Sequence, residues 1–156
     1  MPEGEIEILL VEDSPADVEL TLYALRRHCV ANRIHVARDG EEALNFVFCR
    51  GEYGKRSIAE APRLILLDLK LPKVDGHEVL KAIKEDPRTR AIPVVILTSS
   101  KEEKDLCASY ELGVNSYVQK PVDFEEFRQT VTKLGLYWLL VNEPPSRPGV
   151  EREAAG

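Results

Sequence analysis

Two rhythms of hydrophobic and polar positions alternate along the chain. Short apolar runs occupy 6–11 (broken only by Glu7), 64–67 and 92–97, the mixed segments 33–37 and 115–119 read as two further short strands, and longer stretches with helical spacing separate them. The run Leu64-Ile65-Leu66-Leu67 is aliphatic at every position, which predicts a strand buried on both faces, as in parallel sheets covered by helices. Between the runs, Val18, Leu22 and Leu25, then Ala43, Leu44, Val47 and Phe48, then Val79, Leu80 and Ile83, and finally Phe127, Val131, Leu134 and Trp138 recur with the period of an amphipathic helix. Start and stop signals agree with that partition. Ser14 precedes Pro15, Asp39 and Asp123 stand where helix caps are needed, Ser100 and Glu103 have capping-box spacing, and Gly113 suits a helix end. The spacing predicts helices from Pro15 to near Cys29, from Asp39, over 76–85, up to about Leu112, and from Asp123. Strand and helix thus alternate five times, which predicts an α/β fold. The expected architecture is a single doubly wound (βα)5 domain with a five-stranded parallel sheet and helices on both faces. The domain is expected to span 6–141, after a lead-in at 1–5. The 142–156 segment, with Pro144, Pro145, Pro148 and Gly149, reads as a disordered tail. Residues 50–62 show no period and are long for a connection, which suggests a binding loop or a mobile one.

Composition narrows the function classes. The 156 residues are 44% hydrophobic and 31% charged, with 21 basic against 27 acidic side chains and a net charge of -6. The basic residues are scattered and form no stripe, which argues against a nucleic-acid surface. No apolar run approaches the ~20 residues that span a bilayer, and nothing near the N-terminus has the length of a signal segment. The expectation is a cytoplasmic protein without a membrane or nucleic-acid partner. Cys29, Cys49 and Cys107 form no CxxC pair and read as small buried or half-buried thiols, and His28, His35 and His77, without a ligand-spaced companion, read as ordinary surface or boundary residues.

What changes the picture is the residue on which each strand ends. The first ends on Glu12-Asp13, the third on Asp68, the fourth on Thr98 and the fifth on Lys120. Parallel strands bring these ends to one edge, where open α/β sheets carry their chemistry. Each residue alone has a plain structural reading as a helix-dipole acid, a turn former, a cap hydroxyl or a solvated cation. Together they describe a pocket. Its carboxylates would repel unless a cation were present, and oxygen donors without Cys or His favour a hard ion such as Mg²⁺. An ammonium and a hydroxyl beside that ion suit a phosphoryl group, and a carboxylate can itself be the nucleophile. Three other readings share these residues: a Mg²⁺-dependent aspartyl-nucleophile phosphatase, a nucleotide or flavin carrier, and a phosphorylation-independent scaffold. The phosphatase would need a second acid near Asp68, where Lys70 stands, and the carrier would need a glycine-rich cradle that the loops lack.

The motifs Glu12-Asp13-Ser14, LLDLKLPKVDG around Asp68, Thr98-Ser99 and Lys120-Pro121 resemble those of receiver domains of two-component response regulators. The resemblance runs from about Ile6 to Leu140 and implies a flavodoxin-like fold. It also implies that Asp68 is the phosphoacceptor and that Asp13 and Asp68 bind Mg²⁺, with Glu12 acting through water and Lys70 through its backbone carbonyl. Lys120, Thr98 and Ser99 would meet the phosphoryl group, Tyr117 would be the switch aromatic, and the bond before Pro121 would be cis. The partner would be a sensor histidine kinase. The 51–54 loop, the segment 108–115 and Tyr137-Trp138-Leu139 resemble stand-alone receivers paired with phytochrome-type kinases. In this family the side chains two places after the phosphoacceptor and the switch hydroxyl influence the attacking water. Here they are Lys70 and Ser100, which predicts that the only catalysis is self-phosphotransfer and slow self-dephosphorylation; a phosphoryl half-life of seconds would contradict it. The last helix carries apolar residues on nearly every side. Leu136, Tyr137, Leu139 and Leu140, with Tyr110, are therefore expected to form a homodimer or partner surface.

Overall fold

The computed structural model describes residues 6–27 and 33–143. The lead-in at 1–5, Cys29 and the tail from 144 onward lie outside the described residues. Five strands, β1 (Ile8–Val11), β2 (Ile34–Ala37), β3 (Leu64–Leu67), β4 (Val94–Thr98) and β5 (Ser116–Gln119), form one parallel sheet in the order β2-β1-β3-β4-β5. The helices are α1 (Pro15–Arg27), α2 (Gly40–Val47), α3 (Gly76–Glu85), α4 (Glu103–Glu111) and α5 (Phe124–Leu136). This is the doubly wound architecture the hydrophobic pattern predicts. Strand order reverses between β1 and β3, so the crevice that such sheets use for binding opens at the C-terminal ends of those two strands.

Alternation along the strands divides the core in two. Leu9, Val11, Ile65, Leu67, Val94 and Ile96 face α2 and α3, while Ile8, Leu10, Leu64, Leu66, Val95 and Leu97 face α1 and α5. Every residue of β1, β3 and β4 is buried, which is why these strands read as unbroken apolar runs. Helix α4 differs: it buries only Ser109 and lies at the edge of the α3 layer.

Three local expectations are corrected. Ser100 and Glu103 form no capping box; α4 starts after Glu102, and the Ser100 hydroxyl bonds the Asp105 carboxylate at 2.5 Å instead. The peptide bond before Pro121 is trans. The trans form is intrinsically favoured by about 0.5–1 kcal/mol, and with it the Lys120 N–H still reaches Thr98 O at 2.7 Å and its ammonium still reaches the pocket. Leu139 belongs to the core, 4% exposed, and not to a surface. Beyond α5 the helix widens into a π-helical stretch, Tyr137–Val141, and the buried series Phe127, Val131, Gly135 runs on at four-residue spacing to Leu139. Its carbonyl there accepts from Arg63 Nη2 at 2.8 Å.

The 50–62 loop is built on short 3-10 helices, Gly51–Tyr53 and Ile58–Glu60, and is anchored to the domain. The Arg56 guanidinium lies 3.6 Å from the centre of the Phe46 ring and donates to Phe46 O. Tyr53 donates its hydroxyl proton to Glu42 Oε1 at 2.9 Å, so the 3.0 Å contact with His35 Nε2 requires that nitrogen to carry the proton. His35 also stacks on Phe46 at 4.2 Å. Burial holds the His35 imidazolium below its ordinary value of 6.5; Glu42 and Glu52 oppose that shift and Arg56 adds to it. The unfolded chain therefore takes up this proton before the folded one. Stability from this group is fully present above pH 6.5 and is lost as the pH falls through the folded value. Urea unfolding at pH 7.5 and 5.5 is expected to show His35→Phe, which keeps the stack, with a shallower acid loss than the wild type. An identical slope would refute the role.

Candidate functional site

The pocket forms because four neighbouring segments end their secondary structure at one edge of the sheet. β1 leads directly into Glu12 and Asp13, after which Ser14 accepts from Asp17 N at 3.4 Å and starts α1. β3 ends at Leu67, and the next residue, Asp68, remains in register because its N–H reaches Val11 O at 3.0 Å. β4 ends on Thr98, and β5 delivers Lys120 one residue beyond Gln119, paired with Thr98.

Lys120 stands at the centre. Its side chain is 8% exposed, and its ammonium contacts Glu12 Oε1, Asp17 Oδ2 at 2.8 Å and Asp68 Oδ2 at 3.3 Å. The other Asp68 oxygen, Oδ1, accepts from Leu69 N at 2.7 Å, so backbone and ammonium together orient the carboxylate. Asp68 is 8% exposed and Glu12 3%, whereas Asp13 is exposed to solvent. Burial lifts the Glu12 carboxyl to about 7; Lys120 pulls it down and the charge of Asp68 adds to the rise. Burial also works against the charge on Lys120. Its bonds to Asp17 and Glu12, with the nearby charge of Asp68, outweigh that and hold it above the usual lysine range. The pocket thus contains more negative charge than one ammonium neutralises.

Oxygens of Glu12, Asp13 and Asp68 lie within 4.8 Å of one another, an all-oxygen set that fits a hard divalent cation. Lys70 is exposed and, with Asp13, lines the adjoining cleft. Thr98 is fully buried, and its Oγ1 accepts from Ser100 N at 3.3 Å. Ser99 is exposed. Tyr117 is half-buried, with its hydroxyl 3.4 Å from Ser100 O. The structure therefore brings Glu12, Asp13, Asp68 and Lys120 together and joins Thr98, Ser100 and Tyr117 by hydrogen bonds behind them. On the far side of the domain Leu136, Tyr137 and Leu140 are 38%, 50% and 69% exposed, and Tyr110 is exposed on α4.

Two contributors escape a reading of the sequence. Asp17, three residues after Ser14, reads as a weak capping-box partner, yet its carboxylate bonds Lys120. His77 reads as a boundary residue, yet its Nε2 lies 3.3 Å from Asp105 O and 3.2 Å from Ser109 Oγ, tying α3 to α4. Ser109 gives its own proton to Asp105 O at 2.7 Å, so His77 Nε2 is the donor.

Fold and site together define a class: an open α/β domain with a carboxylate–lysine pocket at its switch point. The family described as response regulator receiver domain matches residues 8–132. The chain is 49% identical over 143 residues to the probable methanogenesis regulatory protein FilR2 of Methanothrix harundinacea, covering 92% of this chain and 90% of that protein. It is 44% identical over 132 residues to the response regulator Rcp1 of Synechocystis sp., covering 85% and 88%. Among solved structures, the phosphorylated cyanobacterial phytochrome response regulator RcpA is similar with a TM-score of 0.85 and 42% identity, over 92% of this chain and 100% of that one. The Mn²⁺-bound form of Rcp1 gives 0.82 and 43%, over 88% and 97%. The chain belongs to the response regulator receiver domain family, and its relatives include phytochrome response regulators. Among the described residues no helix is long and apolar enough to cross a membrane.

Proposed function

We propose that this chain is the phosphoacceptor of a cytoplasmic two-component pathway, taking a phosphoryl group onto Asp68 from the phosphohistidine of a sensor kinase. The observation that carries this reading is the position of Asp68, one oxygen held by Leu69 N and the other 3.3 Å from an ammonium, inside an acidic cluster. A carboxylate oxygen attacks phosphorus, and the P–O bond forms as the P–N bond breaks. The imidazole, protonated on its other nitrogen, leaves as the neutral ring with the bonding pair. Asp13 and Asp68 would hold Mg²⁺, joined by Glu12 through water and by the Lys70 carbonyl, and the cation would supply charge neutralisation for the phosphoryl oxygens. The Mn²⁺ carried by the related Rcp1 supports a divalent site here. Lys120 donates to a phosphoryl oxygen while Thr98, with Ser99 beside it, turns toward the group. Thr98 then releases Ser100 N, and the Tyr117–Ser100 contact responds. Moving such an equilibrium from 1:99 to 99:1 takes about 5.5 kcal/mol, more than the ~1.5–3 kcal/mol of one charge-assisted bond. Thr98, Lys120 and the cation must therefore act together.

The relatives' descriptions favour a phytochrome-type kinase as the donor. Incubation with such a kinase, or with a small acyl phosphate and Mg²⁺, is expected to label one residue per chain. The label should be alkali-labile, as an acyl phosphate is, and should fail to form when the metal is chelated beforehand. Continuous turnover of a phosphomonoester without stoichiometric labelling would overturn the reading in favour of the phosphatase.

The output we propose is a change in self-association through Leu136, Tyr137 and Leu140, with Val141 extending the patch at 68% exposure. Because Leu140 makes little of the core, Leu140→Asp is expected to leave unfolding within ~0.5 kcal/mol of the wild type. It should also reduce the mass in solution to that of one chain. A wild type that stays monomeric at all concentrations, phosphorylated or not, would refute the dimer.

A further inference from the structure

Lys120 has three N–H bonds to give, and all three go to carboxylates: Glu12, Asp17 and Asp68. Two of these acceptors belong to the acidic cluster that suits a cation. Asp17 does not; it projects from the first turn of α1 and stands outside the set that comes within 4.8 Å. We propose that Asp17 is a positioning residue that keeps the Lys120 ammonium in place when Glu12 leaves it to serve the divalent cation. The inference rests on the receiver reading of the same pocket.

The physical need is competition between two cations for one carboxylate. The Lys120 side chain is only 8% exposed, so little water is at hand to replace a lost acceptor. A buried donor left unmade costs more than a made bond gains. Glu12 is 3% exposed, with one oxygen bonded to Lys120 and the other accepting from Ser14 N at 3.3 Å, so a cation that recruits Glu12 competes with the ammonium for it. With Asp17 still bonded at 2.8 Å, Lys120 keeps a charged acceptor and need not follow Glu12 or neutralise Asp68 more closely. Without that charge, Lys120 draws harder on Glu12 and Asp68, the oxygens the cation needs. The plain alternative is that Asp17 only complements the positive end of α1. That role would move stability and leave cation binding alone.

The test is calorimetric titration of the full chain with Mg²⁺ alone, which reads binding without any phosphoryl chemistry. Asp17→Asn, close to isosteric, is expected to raise the Mg²⁺ dissociation constant about 3–10-fold, the range of a partly buried ion pair. Asp17→Glu, which keeps the charge within reach of the flexible lysine, should remain within about two-fold of wild type. In a Lys120→Gln background, adding Asp17→Asn should change the constant less than about two-fold, because the interaction it acts through is gone. Wild-type affinity in Asp17→Asn would overturn the proposal. So would an equal loss in the Lys120→Gln background, which would mean that the Asp17 charge acts on the cation directly, and so would an Asp17→Glu no better than Asp17→Asn. Failure of the receiver reading looks different: the wild type itself would then bind no Mg²⁺ or take no label on Asp68.

Discussion

Asp68→Asn is expected to abolish stoichiometric phosphoryl labelling while leaving the domain folded. The carboxylate is the group that forms the P–O bond, and an amide in its place has no anionic oxygen to attack phosphorus. Folding has less at stake. The amide keeps an oxygen that can accept from Leu69 N, now bonded at 2.7 Å, and Lys120 retains Glu12 and Asp17. Removing one negative charge also relieves Glu12, whose carboxyl Asp68 helps to push upward. Losing the 3.3 Å contact with Lys120 acts in the opposite direction. The two effects nearly offset, so stability should stay within about 1 kcal/mol of wild type. Phosphate incorporation measured beside urea unfolding separates the outcomes. Full labelling of a folded Asp68→Asn would move the phosphoacceptor elsewhere; loss of both labelling and fold would leave the assignment without support.

The amount legible in the sequence follows from which features are local. A strand buried on both faces must be apolar at every position, so 64–67 announced β3, and the first polar residue after it announced the sheet edge. The same logic located Glu12, Asp13 and Thr98 at the ends of buried strands; β5 is only half-buried and ends on the exposed Gln119, so Lys120 was legible from its place beside Pro121 after that strand and not from burial. Pairings made by side chains of differing reach are another matter. Nothing in the first turn of α1 distinguishes Asp17, whose carboxylate meets Lys120 across 103 positions, from any acid placed there for the helix dipole. His77 meets Ser109 only because α3 and α4 pack together at one edge. Leu139 stands in a segment that is apolar on nearly every side, so the sequence does not single it out from Leu136 and Leu140, yet it alone of the three continues the buried series Phe127, Val131 and Gly135. Ser100 and Glu103 had the spacing of a cap, but the Ser100 hydroxyl is claimed by Asp105, so helix α4 begins without it. Spacing identifies what a residue can reach, and packing decides which partner it takes.

Gly76→Ala is expected to destabilise the domain by about 3 kcal/mol, near the upper end of overpacking costs. A Cβ built there would lie 2.3 Å from Asp68 O, 2.5 Å from Leu69 Cα and 3.0 Å from Leu69 O, all backbone atoms. Gly76 N also donates to Leu69 O at 2.8 Å, so the start of α3 is bonded to the chain segment that it would need to leave. Relief has two routes. Withdrawing α3 would pull Val79, Leu80 and Ile83, all fully buried, out of contact with the sheet. Moving the end of β3 would displace Asp68 from the Lys120 ammonium. Alanine favours a helix over glycine by up to ~1 kcal/mol, so the clash must overcome a real gain and any net loss understates it. Gly54→Ala is the control: its backbone is already αR at φ -64, and its Cβ would meet only Gly51 O at 3.3 Å. Urea unfolding should show Gly54→Ala near wild type and Gly76→Ala far below it, and the Gly76→Ala protein that remains folded should label more slowly at Asp68. A Gly76→Ala protein as stable as wild type would mean that the loop carrying the phosphoacceptor has room to move, and the tight coupling of α3 to the pocket would have to be abandoned.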